Sequence, residues 1–420
     1  MSMGHDAPAQ ARPPATFERS GEVLAHLRAR GCSTIGQLAA DLGVARSTVR
    51  QRLLHLASGG LIEDGPAISG NRGRPAQLVS FASSQHLVLA LHVGLTGSRV
   101  AIADLDGVII EERLVELPVS AGPSAVLDEL FRTINVMHTR TAPRSTVAGV
   151  GVAMPSPSEL TDFGPTASVS TAAWDEASVL QMVKDRFQVP TLLDRDVNVM
   201  ARAEYARLDP APDVFACVKL GTLIDAAILV DGRLLRGVGN RAGQIGHLKM
   251  AGSDAMCSCG GIGCLNAVAS GDALVRHLRT VGVAIDHVRD LVELAHRGHG
   301  QAVGAIREAG VRIGQALAAL VNLLGPGSIM TWGYLADTGA PLSAGIRAGL
   351  YADALPRSSA QVSIEQATLG DLTGVQGAAS MASEELLRPN VIDRYLAKGS
   401  WLEALPNDPH YLGDAPPTRI

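Results

Sequence analysis

Residues 242–266 read AGQIGHLKMAGSDAMCSCGGIGCLN. Three of the chain's five cysteines, Cys257, Cys259 and Cys264, fall within eight residues, and His247 stands upstream of them. Three readings are open for this cluster: a metal site, a catalytic site, or reduced thiols gathered by chance in a Gly-rich loop. Redox catalysis favours a CxxC spacing, which this stretch lacks. Gly260, Gly261 and Gly263 let the backbone fold tightly around whatever the thiols hold.

The chain around it has 420 residues, of which 46% are apolar and 3% aromatic. That length supports two or three domains with real cores. No run of 18 uncharged apolar residues occurs, and the first residues, MSMGHDAPAQARPPATF, carry no apolar signal core. The expectation is a cytoplasmic protein with no membrane partner. Five cysteines, three of them clustered, do not form a secreted disulfide framework. Net charge is −5, unevenly spread: residues 17–82 hold eight Arg against five Asp/Glu, and the charge of the remainder is strongly negative. A basic head on an acidic body points to a nucleic-acid module joined to something else.

Residues 1–16, rich in Ala and Pro, read as a disordered tail. Val23, Leu24 and Leu27 then mark one face of a helix that stops at Gly31. Ser33 or Thr34 can cap a short helix ended by Gly43. In residues 44–62, VARSTVRQRLLHLASGGLI, Val49, Leu53 and Leu56 form one buried face. Arg46, Ser47, Thr48, Arg50 and Gln51 start that helix with donors. Helix, glycine turn and polar-started helix make a helix-turn-helix pattern, whose second helix enters the major groove. Arg and Gln suit base edges, while Ser and Thr reach phosphate. Beyond Gly60, two short apolar stretches flank a Gly/Asn/Arg tip that reads as a hairpin wing carrying Arg72 and Arg74. The plainer alternative is a three-helix bundle with a solvated arginine face. The turn glycine, the polar helix start and the arginine-bearing wing together speak against it.

From Leu87 onward, strands and amphipathic helices alternate. A β-meander comes first, and residues 191–198, TLLDRDVN, read as a strand entering a polar loop. The fold class is α/β, with two lobes behind the head.

The order of motifs resembles the ROK family (repressor, open reading frame, kinase) over residues 17–387. That family pattern reads roughly AGEIGH, a short gap, then CxCGxxGCxE; here AGQIGH and CSCGGIGCLN stand in those places. The resemblance implies an actin-like, two-lobed ATPase fold, fronted in the repressors by a winged helix-turn-helix. The division expected is a tail (1–16), a winged helix-turn-helix domain (17–82), a kinase-like domain (87–387) and a C-terminal extension (388–420). It also implies that His247, Cys257, Cys259 and Cys264 ligate zinc. Thiolates and imidazole suit tetrahedral zinc, and four protein ligands close its shell, so the metal would be structural.

In the kinases of the family, an Asp in an Asn-Asp pair is the catalytic base, and Asp196 matches it. Other kinase parts depart. The first phosphate turn, DxGGT, is HVGLT here, with His92 for the acid and Leu95 for a glycine. The second, resembling GTGIGAG, is GTLIDAA, with Leu223 and Asp225 for glycines. Near the adenosine site, GG becomes Trp332-Gly333. These changes argue against ATP binding and leave Asp196 a vestigial base. The sugar-holding positions correspond to Arg195, Asp196, Gln244, His247 and Asn266, and three of the five differ from the pattern. Two carboxylates have become amides and one Asn has become Arg. An anionic or amide-bearing effector is one expectation; a vestigial pocket, with Arg195 paired to Asp194 or Asp196, is the other.

The function expected is a DNA-binding transcriptional regulator, a repressor, with a degenerate sugar-kinase-like sensor. Its partners would be a palindromic duplex operator, a sugar or sugar-derivative effector, and further copies of itself as homodimer or tetramer. The alternatives are a bifunctional ATP-dependent sugar kinase and an effector-independent regulator.

Overall fold

The computed structural model describes residues 19–68, 76–156 and 174–405. In the head, helix α1 (Ser20–Arg30) is followed by strand β1 (Ser33–Thr34), α2 (Ile35–Asp41) and α3 (Arg46–Ser58). Thr34 caps α2 in a reciprocal box with Gln37, as the Thr-x-x-Gln spacing allows. Gly43, at φ +62°, makes the turn into α3. Val23, Leu24, Leu27, Leu38, Val49 and Leu56 are buried between the three helices. Strands β2 (Ile62–Ile68) and β3 (Ala76–Phe81) pair antiparallel, and β1 joins the other edge of β3. The tip between β2 and β3, with Arg72 and Arg74, lies outside the described residues, as does the expected tail 1–16.

The body repeats one sheet plan twice. The first lobe orders its strands β6-β5-β4-β7-β8, with β4 (His86–His92), β5 (Ser98–Asp104), β6 (Ile109–Val115), β7 (Thr146–Met154) and β8 (Thr191–Arg195). β4, β5 and β6 form the antiparallel meander, and β4, β7 and β8 run parallel. The second lobe orders β11-β10-β9-β12-β13, from β9 (Val214–Leu220), β10 (Ile224–Val230), β11 (Arg233–Leu234), β12 (Ser328–Trp332) and β13 (Ser363–Gln366). The same antiparallel-then-parallel switch recurs there.

β4 is buried throughout, so both its faces are apolar. Alternation divides its residues between two cores. Leu87, Leu89 and Leu91 cluster with the helix Pro123–Thr141, through Leu127, Leu130 and Ile134. Val88 and Ala90 cluster with the helix Thr373–Leu386, through Val375, Ala378 and Ala382. In the second lobe the helices Gly300–Leu324 and Ala340–Asp353 approach closely through glycines. A Cβ at Gly314 would stand 2.2 Å from the Ile346 carbonyl.

One expectation changes. Residues 196–198 do not form a loop: the helix Asp196–Tyr205 starts at once after β8. Its Val197, Met200 and Ala201 pack on Phe215, Cys217 and Leu229 of the second lobe, and burial on that face overrides the polar look of Asp-Val-Asn. The extension, which shows no motif in sequence, supplies the helices Pro389–Lys398 and Trp401–Ala404. Val391, Ile392, Trp401 and Ala404 join the same apolar cluster as the head. Among the described residues, no helix is long and apolar enough to cross a membrane.

Candidate effector cleft, metal centre and nucleic-acid face

On α3, Val49, Leu53 and Leu56 face inward, while Arg46, Ser47, Arg50 and Gln51 are exposed and Thr48 is half-buried. The polar start of the helix is therefore presented outward, with Ala45 as an N-cap that offers no side chain. Free N–H groups and cationic side chains at such an end suit phosphate.

The head is fixed to the body by residues that sequence reasoning missed. Asp393 accepts hydrogen bonds from the backbone N–H groups of Arg19 and Gly21, both at 2.8 Å, at the start of α1. Tyr395 and Trp401 stack at 3.9 Å between centroids, and His86 meets both rings edge-on. The Gly59 carbonyl, at the end of α3, lies 2.9 Å from His86 Nε2 and accepts from the Tyr395 hydroxyl at 3.3 Å. Arg28 pairs with Asp106 of the first lobe at 2.6 Å. The concentration of aromatics in residues 395–401 was the only signal in the sequence.

Between the lobes, β8 and the helix Asp196–Tyr205 deliver Asp194, Arg195, Asp196 and Asn198 to the ends of β9 and β10. Lys219 Nζ donates to Asp196 Oδ2 at 2.7 Å, with both side chains buried. Burial opposes the charge on Asp196, but the Lys219 ammonium outweighs it and holds the carboxyl below its ordinary range. Lys219 stands in the apolar run VFACVKL, and a lysine in a buried strand is itself a signal in the sequence. Arg195 Nη1 donates to the carbonyls of Asn240 and Ala242 at 3.0 and 2.8 Å. Its Nη2 pairs with Asp225, a partner not weighed from sequence. Asp194 accepts from Asn198, Asn240 and the Arg195 N–H, and pairs with Arg236 at 2.9 Å.

The other positions at which the sequence was expected to depart from the kinase pattern are also engaged. Leu95 and Leu223 are buried in one apolar cluster, although one belongs to the first lobe and the other to the second. Trp332 donates its indole N–H to the Gly370 carbonyl at 2.7 Å and meets His92 edge-on at 6.0 Å. Burial pushes the His92 imidazole down to about 4. A cavity runs along this boundary, lined by His92, Leu95, Asp196, Lys219, Trp332 and Tyr334 among others. Of the five positions expected to hold a sugar, Asp196 is in its lining, and Arg195, Gln244, His247 and Asn266 lie outside it. Gln244 and His247 are half-buried on the loop of the candidate metal centre. Asn266 is buried and accepts from the Ile224 N–H at 2.7 Å, tying that loop to the second phosphate-type turn.

Ligand atoms of His247, Cys257, Cys259 and Cys264 all lie within 4.8 Å of one another. Cys259 Sγ and Cys264 Sγ are 3.8 Å apart. A tetrahedron with Zn–S bonds of about 2.3 Å has S···S edges of about 3.8 Å, so the donor set fits zinc in both chemistry and spacing. Backbone bridges Lys249↔Cys264 and Met256↔Ile262 fix the loop, and Lys249 Nζ donates to Cys264 Sγ at 3.1 Å. Burial pushes the Cys257 thiol up to about 11; a divalent cation reverses such a shift by binding the thiolate.

The ROK family pattern matches residues 88–385. The chain is 25% identical over 349 residues to a putative xylose repressor from Caldicellulosiruptor sp. (strain Rt8B.4), covering 79% of this chain and 86% of that protein. It is 26% identical over 326 residues to a glucokinase from Halalkalibacterium halodurans, covering 72% and 96%. Among solved structures, a ROK family transcriptional regulator, a homologue of the E. coli MLC protein, superposes with a TM-score of 0.66 at 20% identity, over 93% of this chain and 98% of that one. A ROK glucokinase from Streptomyces griseus, in complex with glucose and AMPPNP, superposes with a TM-score of 0.58 at 23% identity over 71% and 99%. The regulator's match is wide enough to take in the head as well as the body, giving the fold as a winged helix-turn-helix joined to a two-lobed actin-like frame. With the family pattern matched over more than half of its length, the chain belongs to the ROK family.

Proposed function

We propose that this protein is a DNA-binding transcriptional regulator, a repressor, whose kinase-like body serves as sensor and dimer scaffold. The observation that carries this reading is the exposed donor face of α3, bearing Arg46, Ser47, Arg50 and Gln51, on a head locked to the body by Asp393, Tyr395 and Trp401. Relatives named as xylose repressors support it. Arg72 and Arg74 are assigned to the wing that touches the DNA backbone or minor groove. Two heads on a two-fold dimer read a palindromic operator.

The body does not phosphorylate in this reading. Asp196, the base candidate, is held by Lys219, and a carboxylate stabilised in its ionised form is a weaker proton acceptor. Asp225 and Leu223 stand at positions the family resemblance assigns to glycines of the second phosphate turn; Asp225 is buried in its pair with Arg195 and Leu223 in an apolar cluster, so neither position leaves bare backbone for a phosphate. The effector belongs to the sugar class, and the positions expected to meet it are Asp196, in the cavity lining, and Arg195, Gln244, His247 and Asn266, which lie beyond that lining. Because Asp225 offsets the charge of Arg195, a neutral or amide-bearing sugar fits better than an anionic one. A structural zinc on His247, Cys257, Cys259 and Cys264 holds the loop that carries Gln244 and Asn266. The second reading, a regulator without effector, is favoured by the internal engagement of Arg195 and Asn266.

Selection of DNA fragments with the pure protein, repeated with neutral, amide-bearing and phosphorylated sugars, tests the proposal. An enriched palindrome that one sugar weakens supports it. An enriched palindrome that no sugar affects supports the effector-free reading. Sugar-dependent ADP release that is lost in Asp196→Asn overturns both in favour of a kinase.

A further inference from the structure

Leu54 stands out on α3. It is 65% exposed, the most exposed large apolar side chain of the described head. At 100° per residue, Ser47, Arg50, Gln51 and Leu54 fall within about a 100° arc of the helix. The buried residues Val49, Leu53 and Leu56 occupy the opposite side. A leucine left in water on an otherwise polar face forgoes the burial that the neighbouring Leu53 and Leu56 obtain. The two arginines of this helix start, Arg46 and Arg50, are also exposed, so the surface around Leu54 is cationic and complements a phosphate backbone.

We infer that Leu54 reads the operator by packing on the 5-methyl group of a thymine in the major groove, one contact per half-site. This rests on the regulatory reading above and deepens it by assigning a specificity-determining residue. The methyl group is the only apolar feature that a base edge presents in that groove, and an apolar side chain is what distinguishes it from cytosine or adenine. Arg50 and Gln51, on the same arc, supply the directional hydrogen bonds that set the register, and Leu54 supplies the apolar discrimination about one turn further along the helix. Its exposure makes it dispensable for the head's own core, which is built from Val23, Leu24, Leu27, Leu38, Val49 and Leu56.

The test uses the full chain and the site enriched by fragment selection. Each thymine is replaced in turn by deoxyuridine, which removes only the methyl group and keeps the hydrogen-bonding edge. The wild-type protein is expected to lose about three- to tenfold in affinity at one thymine per half-site, the scale of one buried methyl group. The Leu54→Ala protein is expected to bind the thymine and deoxyuridine sites equally, with an unchanged melting temperature and an unchanged salt dependence on random DNA. Indifference of the wild-type protein to every deoxyuridine overturns the inference while leaving the regulatory reading intact. So does a methyl sensitivity that persists in Leu54→Ala. If selection enriches no sequence at all, the inference and the regulatory reading fall together.

Discussion

Arg195 and Asp225 form a buried ion pair across the boundary between the two lobes, with side chains only 4% and 3% exposed. Arg195 ends β8 of the first sheet and Asp225 lies near the start of β10 of the second. By the family resemblance one stands at an expected sugar position and the other at an expected phosphate turn, and under the proposed function the two departures compensate each other. Removing one partner leaves the other buried charge without this counterion. Arg195→Asn or Asp225→Gly alone is expected to cost about 3–5 kcal/mol. The double change Arg195→Asn with Asp225→Gly is expected to cost less than either single change. Urea unfolding of the four proteins checks this, and simple additivity would refute the compensation.

His92 gives the protein a pH-dependent stability. Its imidazole titrates at about 4 in the folded state, below the usual 6.5, because burial disfavours its charge. The unfolded chain therefore binds the extra proton between those values, and stability falls as pH drops from about 6.5 to about 4, levelling off below. The full effect is about 3 kcal/mol for a shift of this size. Gly374 packs directly against the ring, so a substitute must stay near its volume. Unfolding of His92→Gln between pH 4 and 7 is expected to show a shallower slope than the wild type. An equal slope would assign the dependence to other groups.

The metal cluster predicts about one zinc per chain in protein purified without chelator. Cys264 is buried and receives Lys249, so Cys264→Ser is expected to lose the zinc and to lower the melting temperature. Elemental analysis with thermal unfolding measures both. A metal-free wild type with unchanged stability would remove zinc from the account.

Asp393 caps α1 from the C-terminal extension. Asp393→Ala leaves the N–H groups of Arg19 and Gly21 without their acceptor and is expected to cost about 1 kcal/mol. The loss concerns how α1 sits on the body, so hydrogen exchange in residues 20–30 is expected to rise while that of the second lobe does not change. Uniform change across the chain would speak against a local role.

Sequence alone determined much of this protein. The periodicity of Val49, Leu53 and Leu56 and a cap at Ser33 or Thr34 marked out the helices of the head, because helix faces and caps are local properties. The resemblance of AGQIGH and CSCGGIGCLN to the family pattern pointed to a metal site at His247, Cys257, Cys259 and Cys264, and the fold brings their ligand atoms together. The tertiary structure decided the rest. Asp196 begins a buried helix because the second lobe covers it, which a polar Arg-Asp-Val-Asn run does not reveal. Pairings such as Arg195 with Asp225, Asp196 with Lys219 and Asp393 with the start of α1 join residues 30, 23 and more than 370 positions apart. No local pattern encodes them, because they exist only once separate sheets and helices have met.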